Sequence, residues 1–163
     1  MNLTILPQQV LLNGHDLLNI RESERFLACF GQPSRQREIP MHPSGTRVAM
    51  VWDELGLVAY EDRPEGLMSH LYLAFNPLNT PEHPSKASQC VIQINGGIVT
   101  SETSERTLPQ SGHTPISVDH GKHFFYETGL YCVAFLFGRS ANPHDGEIAV
   151  GSLECFSFSW RSA

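Results

Sequence analysis

Positive charge is scarce in this chain. Eleven lysines and arginines stand against seventeen aspartates and glutamates, a formal net charge of −6. A sequence-independent grip on nucleic acid needs clustered lysine and arginine, so nucleic acid is not an expected partner. Docking on anionic lipid is disfavoured for the same reason. A basic protein partner remains compatible, because opposite charge speeds encounter. Long apolar runs are missing too. The opening MNLTILPQQVLLNGHD has no basic start, and Pro7, Gln8 and Gln9 interrupt it early. Neither a signal peptide nor a membrane-spanning helix is expected, which implies a cytoplasmic protein. The four cysteines, Cys29, Cys90, Cys132 and Cys155, lie far apart with no Cys-x-x-Cys pair. Buried free thiols in a reducing compartment are expected, rather than a disulfide framework or a zinc knuckle.

Catalytic signatures are also wanting. There is no Gly-x-Ser-x-Gly elbow, and Pro43-Ser44-Gly45 reads as a turn. Asn95-Gly96-Gly97 lacks both the spacing of a dinucleotide fingerprint and the lysine of a phosphate loop. Asp53-Glu54 and Glu61-Asp62 are adjacent pairs, and neighbours in a strand point to opposite faces, so neither suits two-carboxylate hydrolysis. Glu127 is a further carboxylate with no evident partner. The densest titratable cluster is His113, Asp119, His120 and His123. It has neither the i, i+4 histidines of a helical zinc site nor a His-x-His pair on one strand face. No enzyme, metal or cofactor is expected; this cluster is the weak alternative. Trp52, Tyr60, Tyr72 and Tyr131 are candidate stacking platforms for a sugar, although strand aromatics usually fill cores.

What is present is β texture. The chain is 40% hydrophobic and 17% charged, too apolar for a disordered segment, and its 163 residues suit one domain, 1–163. Asn13-Gly14 predicts a tight hairpin turn with two positive φ angles. Around residues 21–30 the apolar spacing predicts one helix. Asn19 or Ser23 would cap it, Gly31 would end it in the left-handed conformation, and Pro33 would prevent its resumption. From Arg47 onward, about eight to ten strands follow, mostly joined as hairpins. LYCVAFLF is apolar on both faces, as for a strand covered on both sides. Three polar segments, 76–89, 104–121 and 138–147, interrupt the rhythm and are expected to be long loops. The expected fold is mainly β: an antiparallel β-sandwich or curved sheet with one N-terminal helix.

The stretch MVWDELGLVAY carries Asp53 and Glu54 between two apolar runs. Turn chemistry is expected there, with Asp53 accepting bonds from its own turn and Gly56 left-handed. Arg35 would pair with a carboxylate such as Asp53 or bond the carbonyls at the helix end.

Two patterns in the first half, Gly31-x-Pro33-Ser34-Arg35 and Trp52-Asp53-x-Leu55-Gly56, together resemble a family of bacterial β-rich proteins with no assigned activity. Small acidic proteins of this texture resemble the immunity proteins of bacterial toxin systems. That resemblance implies a non-enzymatic inhibitor that binds and occludes a cognate basic toxin. Glu102, Glu105, Asp145 and Glu147 are the acidic loop residues expected to meet it. The alternative is a small-molecule or carbohydrate-binding β-domain, metal-assisted through His113, Asp119, His120 and His123.

Overall fold

The computed structural model describes residues 1–41, 45–76, 80–94, 96–104, 107–108, 114–118, 121–140 and 149–161. The fold is mainly β, as expected. Strands β1 (Asn2–Leu6), β2 (Gln9–Leu12) and β3 (His15–Asp16) are followed by one α-helix, α1 (Ser23–Phe30). Next come β4 (Arg35–Pro40), β5 (Thr46–Trp52), β6 (Leu57–Arg63) and β7 (Leu67–Ala74). The remaining strands are β8 (Val91–Ile94), β9 (Gly97–Val99), β10 (Thr114–Val118), β11 (Gly121–Glu127), β12 (Tyr131–Ser140) and β13 (Ala149–Trp160). They form a five-stranded sheet, β3-β2-β1-β8-β9, and an eight-stranded sheet, β10-β11-β12-β13-β7-β6-β5-β4. The larger sheet is antiparallel throughout. In the smaller one β1 and β8 run parallel, Asn2 against Val91 to Ile5 against Ile94, across nearly ninety residues of chain.

The hairpin chemistry is as the residues demand. Asn13 (φ 51°) and Gly14 (φ 84°) turn β2 into β3, and Gly96 (φ 77°) lies in the β8–β9 turn. Helix α1 differs from expectation at both ends. Glu22 holds the N-cap position with no side-chain bond, so neither Asn19 nor Ser23 caps it. Asn19 instead ends a short 3-10 turn capped by Asp16, whose carboxylate accepts from the Leu18 N–H at 3.1 Å. Gly31 has φ 75° but ψ −174°, a positive-φ conformation outside the left-handed helical region. That region too is nearly reserved for glycine. The polar segment 104–121 contains β10, a strand where a loop was expected.

One core joins the two sheets and the helix. The inner face of the larger sheet presents Met50, Trp52, Leu71, Leu73, Phe135, Phe156 and Phe158, all buried. The smaller sheet adds Leu3, Ile5, Leu12, Ile92 and Ile94 from its inner face. Cross-ties fix the packing: the Trp160 indole N–H donates to the Leu17 carbonyl at 2.8 Å, and the Tyr131 hydroxyl donates to Leu6 at 2.5 Å. Phe26 seats α1 against Trp52, ring centroids 5.6 Å apart. The outer face of β12 is only half-buried at Cys132, Ala134 and Leu136, so its second apolar face is not covered as expected.

Candidate functional site

The two sequence patterns meet at one corner. The Trp52 indole N–H donates to the Gly31 carbonyl at 3.1 Å, and the Asp53 N–H donates to Ser34 Oγ at 3.1 Å. Asp53 begins a single 3-10 turn, Asp53–Leu55, which Gly56 closes in the left-handed conformation (φ 62°, ψ 35°). The expected pairing of Arg35 with Asp53 is present as an ion pair. The expectation that Asp53 serves its own turn is not met. Its second oxygen accepts the Ser85 N–H at 2.6 Å, thirty-two residues away. Burial acts to raise the Asp53 carboxyl, but the Ser85 bonds and the Arg35 guanidinium outweigh it and hold it below its usual value.

This corner anchors a strap, residues 80–88, over the outer face of the larger sheet. Arg35 donates to the carbonyls of Pro81 (3.2 Å) and His83 (2.5 Å). Arg37 pairs with Glu82, and Lys86 Nζ reaches Glu54 at 2.6 Å. Ser88 N–H closes the strap onto the Ala74 carbonyl at 2.6 Å. Gly56 is required by proximity as well as by φ, since a Cβ there would fall 2.3 Å from the Ser88 nitrogen.

Between strap and sheet lies a hollow of about 330 Å³. Tyr60 and Tyr72 meet there edge to face, centroids 5.5 Å apart, over Val58, Ala74 and Leu136. Glu82 and His83 of the strap form one side, and Glu154 and Cys155 another. A bulge in β13 creates that second side. Leu136 pairs with Cys155 and Phe137 with Leu153, leaving Glu154 as the extra residue. Two successive side chains therefore line the same hollow instead of alternating. The Glu154 carbonyl accepts N–H bonds from Phe75 (2.8 Å) and Asn76 (3.0 Å), which pins the bulge. Burial raises both phenols, and it pushes the Cys155 thiol up to about 12, with Glu154 adding to the effect. His70 stacks on Tyr72 with its Nδ1 buried and, among the described residues, unpartnered; burial, reinforced by Arg47, lowers its pKa and so favours the neutral ring.

The second surface is the β9 edge of the smaller sheet. Ile98 is 61% exposed there, and Leu6 is 44% exposed on the same outer face. A shallow groove of about 340 Å³ runs between them past Thr4 and Gln93. Glu102 is exposed in the turn that follows β9, its N–H donating to Thr100 Oγ1 at 3.3 Å.

Of the other expected site residues, Glu105, Asp145, Glu147, His113, Asp119 and His120 lie outside the described residues, as does the side chain of His123 in β11. Among the described residues no three histidine, cysteine or acidic side chains converge as metal ligands. All four cysteines are free, Cys90 buried and the others half-buried. The four candidate stacking aromatics divide: Trp52 and Tyr131 are core, while Tyr60 and Tyr72 line the hollow. Sequence reasoning missed the strap, the bulge and the β9 edge. Among the described residues no helix is long and apolar enough to cross a membrane.

A family model described as Domain of unknown function (DUF7738) matches residues 2–109, a span that holds α1, β1 to β9, the Arg35–Asp53 corner and the strap. No curated protein and no solved structure matches the chain.

Proposed function

We propose that this chain, which belongs to the DUF7738 family of unknown function, is a non-enzymatic interaction protein of the cytoplasm. Its role is that of an immunity-type inhibitor, covering the active cleft of a basic bacterial toxin. The observation that carries this reading is the contrast between two sheet edges. Edge strand β4 is guarded in the usual way, with Arg35, Arg37, Glu38 and Pro40 along it. Edge strand β9 reads Gly-Ile-Val, carries no charge and leaves Ile98 open beside Leu6. An uncharged edge with an open isoleucine invites apolar docking by another protein, although its three-residue length limits strand addition. Glu102 next to that edge, on a chain of net charge −6, favours a basic partner. Glu105, Asp145 and Glu147, the other acidic residues expected from the sequence to meet the partner, lie outside the described residues. Coexpression with the product of the adjacent gene tests the reading. The expected result is a copurifying pair and restored growth of cells making the toxin. A partner that neither copurifies nor loses its toxicity removes it.

A further inference from the structure

The hollow on the outer face of the larger sheet is separate from the β9 edge, and nothing in the inhibitor reading uses it. Its construction is unusual for an idle surface. The floor is apolar, from Val58, Ala74 and Leu136, and two tyrosine rings stand on it at right angles. Its described lining includes two carboxylates, Glu82 and Glu154, and no lysine or arginine. Glu82 is already neutralised by Arg37. Arg47 lies over one face of the Tyr60 ring, 6.0 Å from its centroid, and is held there by Asp62 at 2.7 Å, which leaves the other face for a ligand. Glu154 has no ion pair among the described residues, so the described lining carries one carboxylate without a counter-charge.

The placement of Glu154 is built rather than incidental. The β13 bulge turns it onto the hollow's face, and its carbonyl is pinned by two N–H donors. Gly138 on the neighbouring strand leaves room for its carboxylate, which any Cβ there would strike. The opposite wall is equally fixed, because the strap is tied down by Arg35, Asp53 and the Ser88–Ala74 bond. Aromatic faces beside an unpaired carboxylate form the chemistry that recognises an ammonium group. The rings attract the cation through their quadrupoles and the carboxylate supplies the counter-charge.

We propose that this hollow binds a small organic cation, an ammonium group on a compact apolar body, held between Tyr60, Tyr72 and Glu154. Titrating the full-length chain with choline and with tetramethylammonium, followed by NMR shifts of the hollow's residues, tests this. The control ligand is the neutral analogue of choline in which carbon replaces the nitrogen. At least one cation should saturate below about 10 mM, with the neutral analogue at least about tenfold weaker. Glu154→Gln keeps the shape and removes the charge, and it should weaken the cation about tenfold with the fold unchanged by circular dichroism. Tyr72→Ala should weaken it comparably. Failure of both cations to saturate, equal binding of the neutral analogue, or an unaffected Glu154→Gln variant would each overturn the proposal. None of these results bears on the β9 edge, so the two readings fail independently.

Discussion

Gly56 shows how one position can be constrained twice. Its left-handed φ alone would cost an alanine about 1–2 kcal/mol. The Ser88 backbone lies where the new Cβ would go, so the strap must also shift. Gly56→Ala should therefore destabilise the protein by about 3 kcal/mol or more in urea unfolding, and a loss within the left-handed cost alone would contradict the close approach. Asp53 and His70 each add to the acid response. The folded Asp53 titrates below the ordinary aspartate value of 3.8, so its contribution is complete above that pH and is lost as pH falls through its lowered folded value. The folded His70 titrates below 6.5, because the protein favours the neutral ring, so its contribution is likewise complete above that pH and lost on acidification. Melting temperature should fall as pH is lowered from neutrality, and His70→Gln should flatten the part of the fall that begins below 6.5. Equal slopes for both proteins would exclude His70 as its source.

At the scale of elements, what was legible in the sequence was what is local. Asn13-Gly14 needs only its own backbone to turn a hairpin, and α1 follows from apolar spacing within one stretch. The strap was read as a polar loop because Thr80 to Ser88 carries proline and polar residues and no periodicity. Its order comes from Arg35 and Asp53, which no local window contains. The bulge was equally hidden: Glu154 and Cys155 look like alternating strand positions until β12 pairs with β13 and leaves one residue over. The strap's dependence on its anchors is measurable. Arg35→Ala should speed amide hydrogen exchange at Ser85 and Ser88 by at least about tenfold while β5 and β6 amides keep their protection. Unchanged exchange at both serines would show that the strap is held by something other than Arg35.

The whole molecule adds what neither residues nor elements foretell: which strand neighbours which. The parallel pairing of β1 with β8 closes the smaller sheet over the larger one and leaves β9 as its edge. Alternation in the sequence marks inner and outer faces but carries no record of that neighbour, so Ile98 had no reason to be singled out. Its 61% exposure on an uncharged edge is a property of the assembled fold. On the proposed function, this edge is where a partner protein docks. Calorimetric titration of the purified adjacent-gene product with the wild-type chain and with Ile98→Asp tests it most directly. An exposed side chain can be changed with little effect on folding, so both proteins should melt alike. The expected result is a one-to-one complex that the substitution weakens by about 2 kcal/mol or more, roughly thirtyfold. Equal affinity of the two chains, or no heat of binding from either, would contradict it.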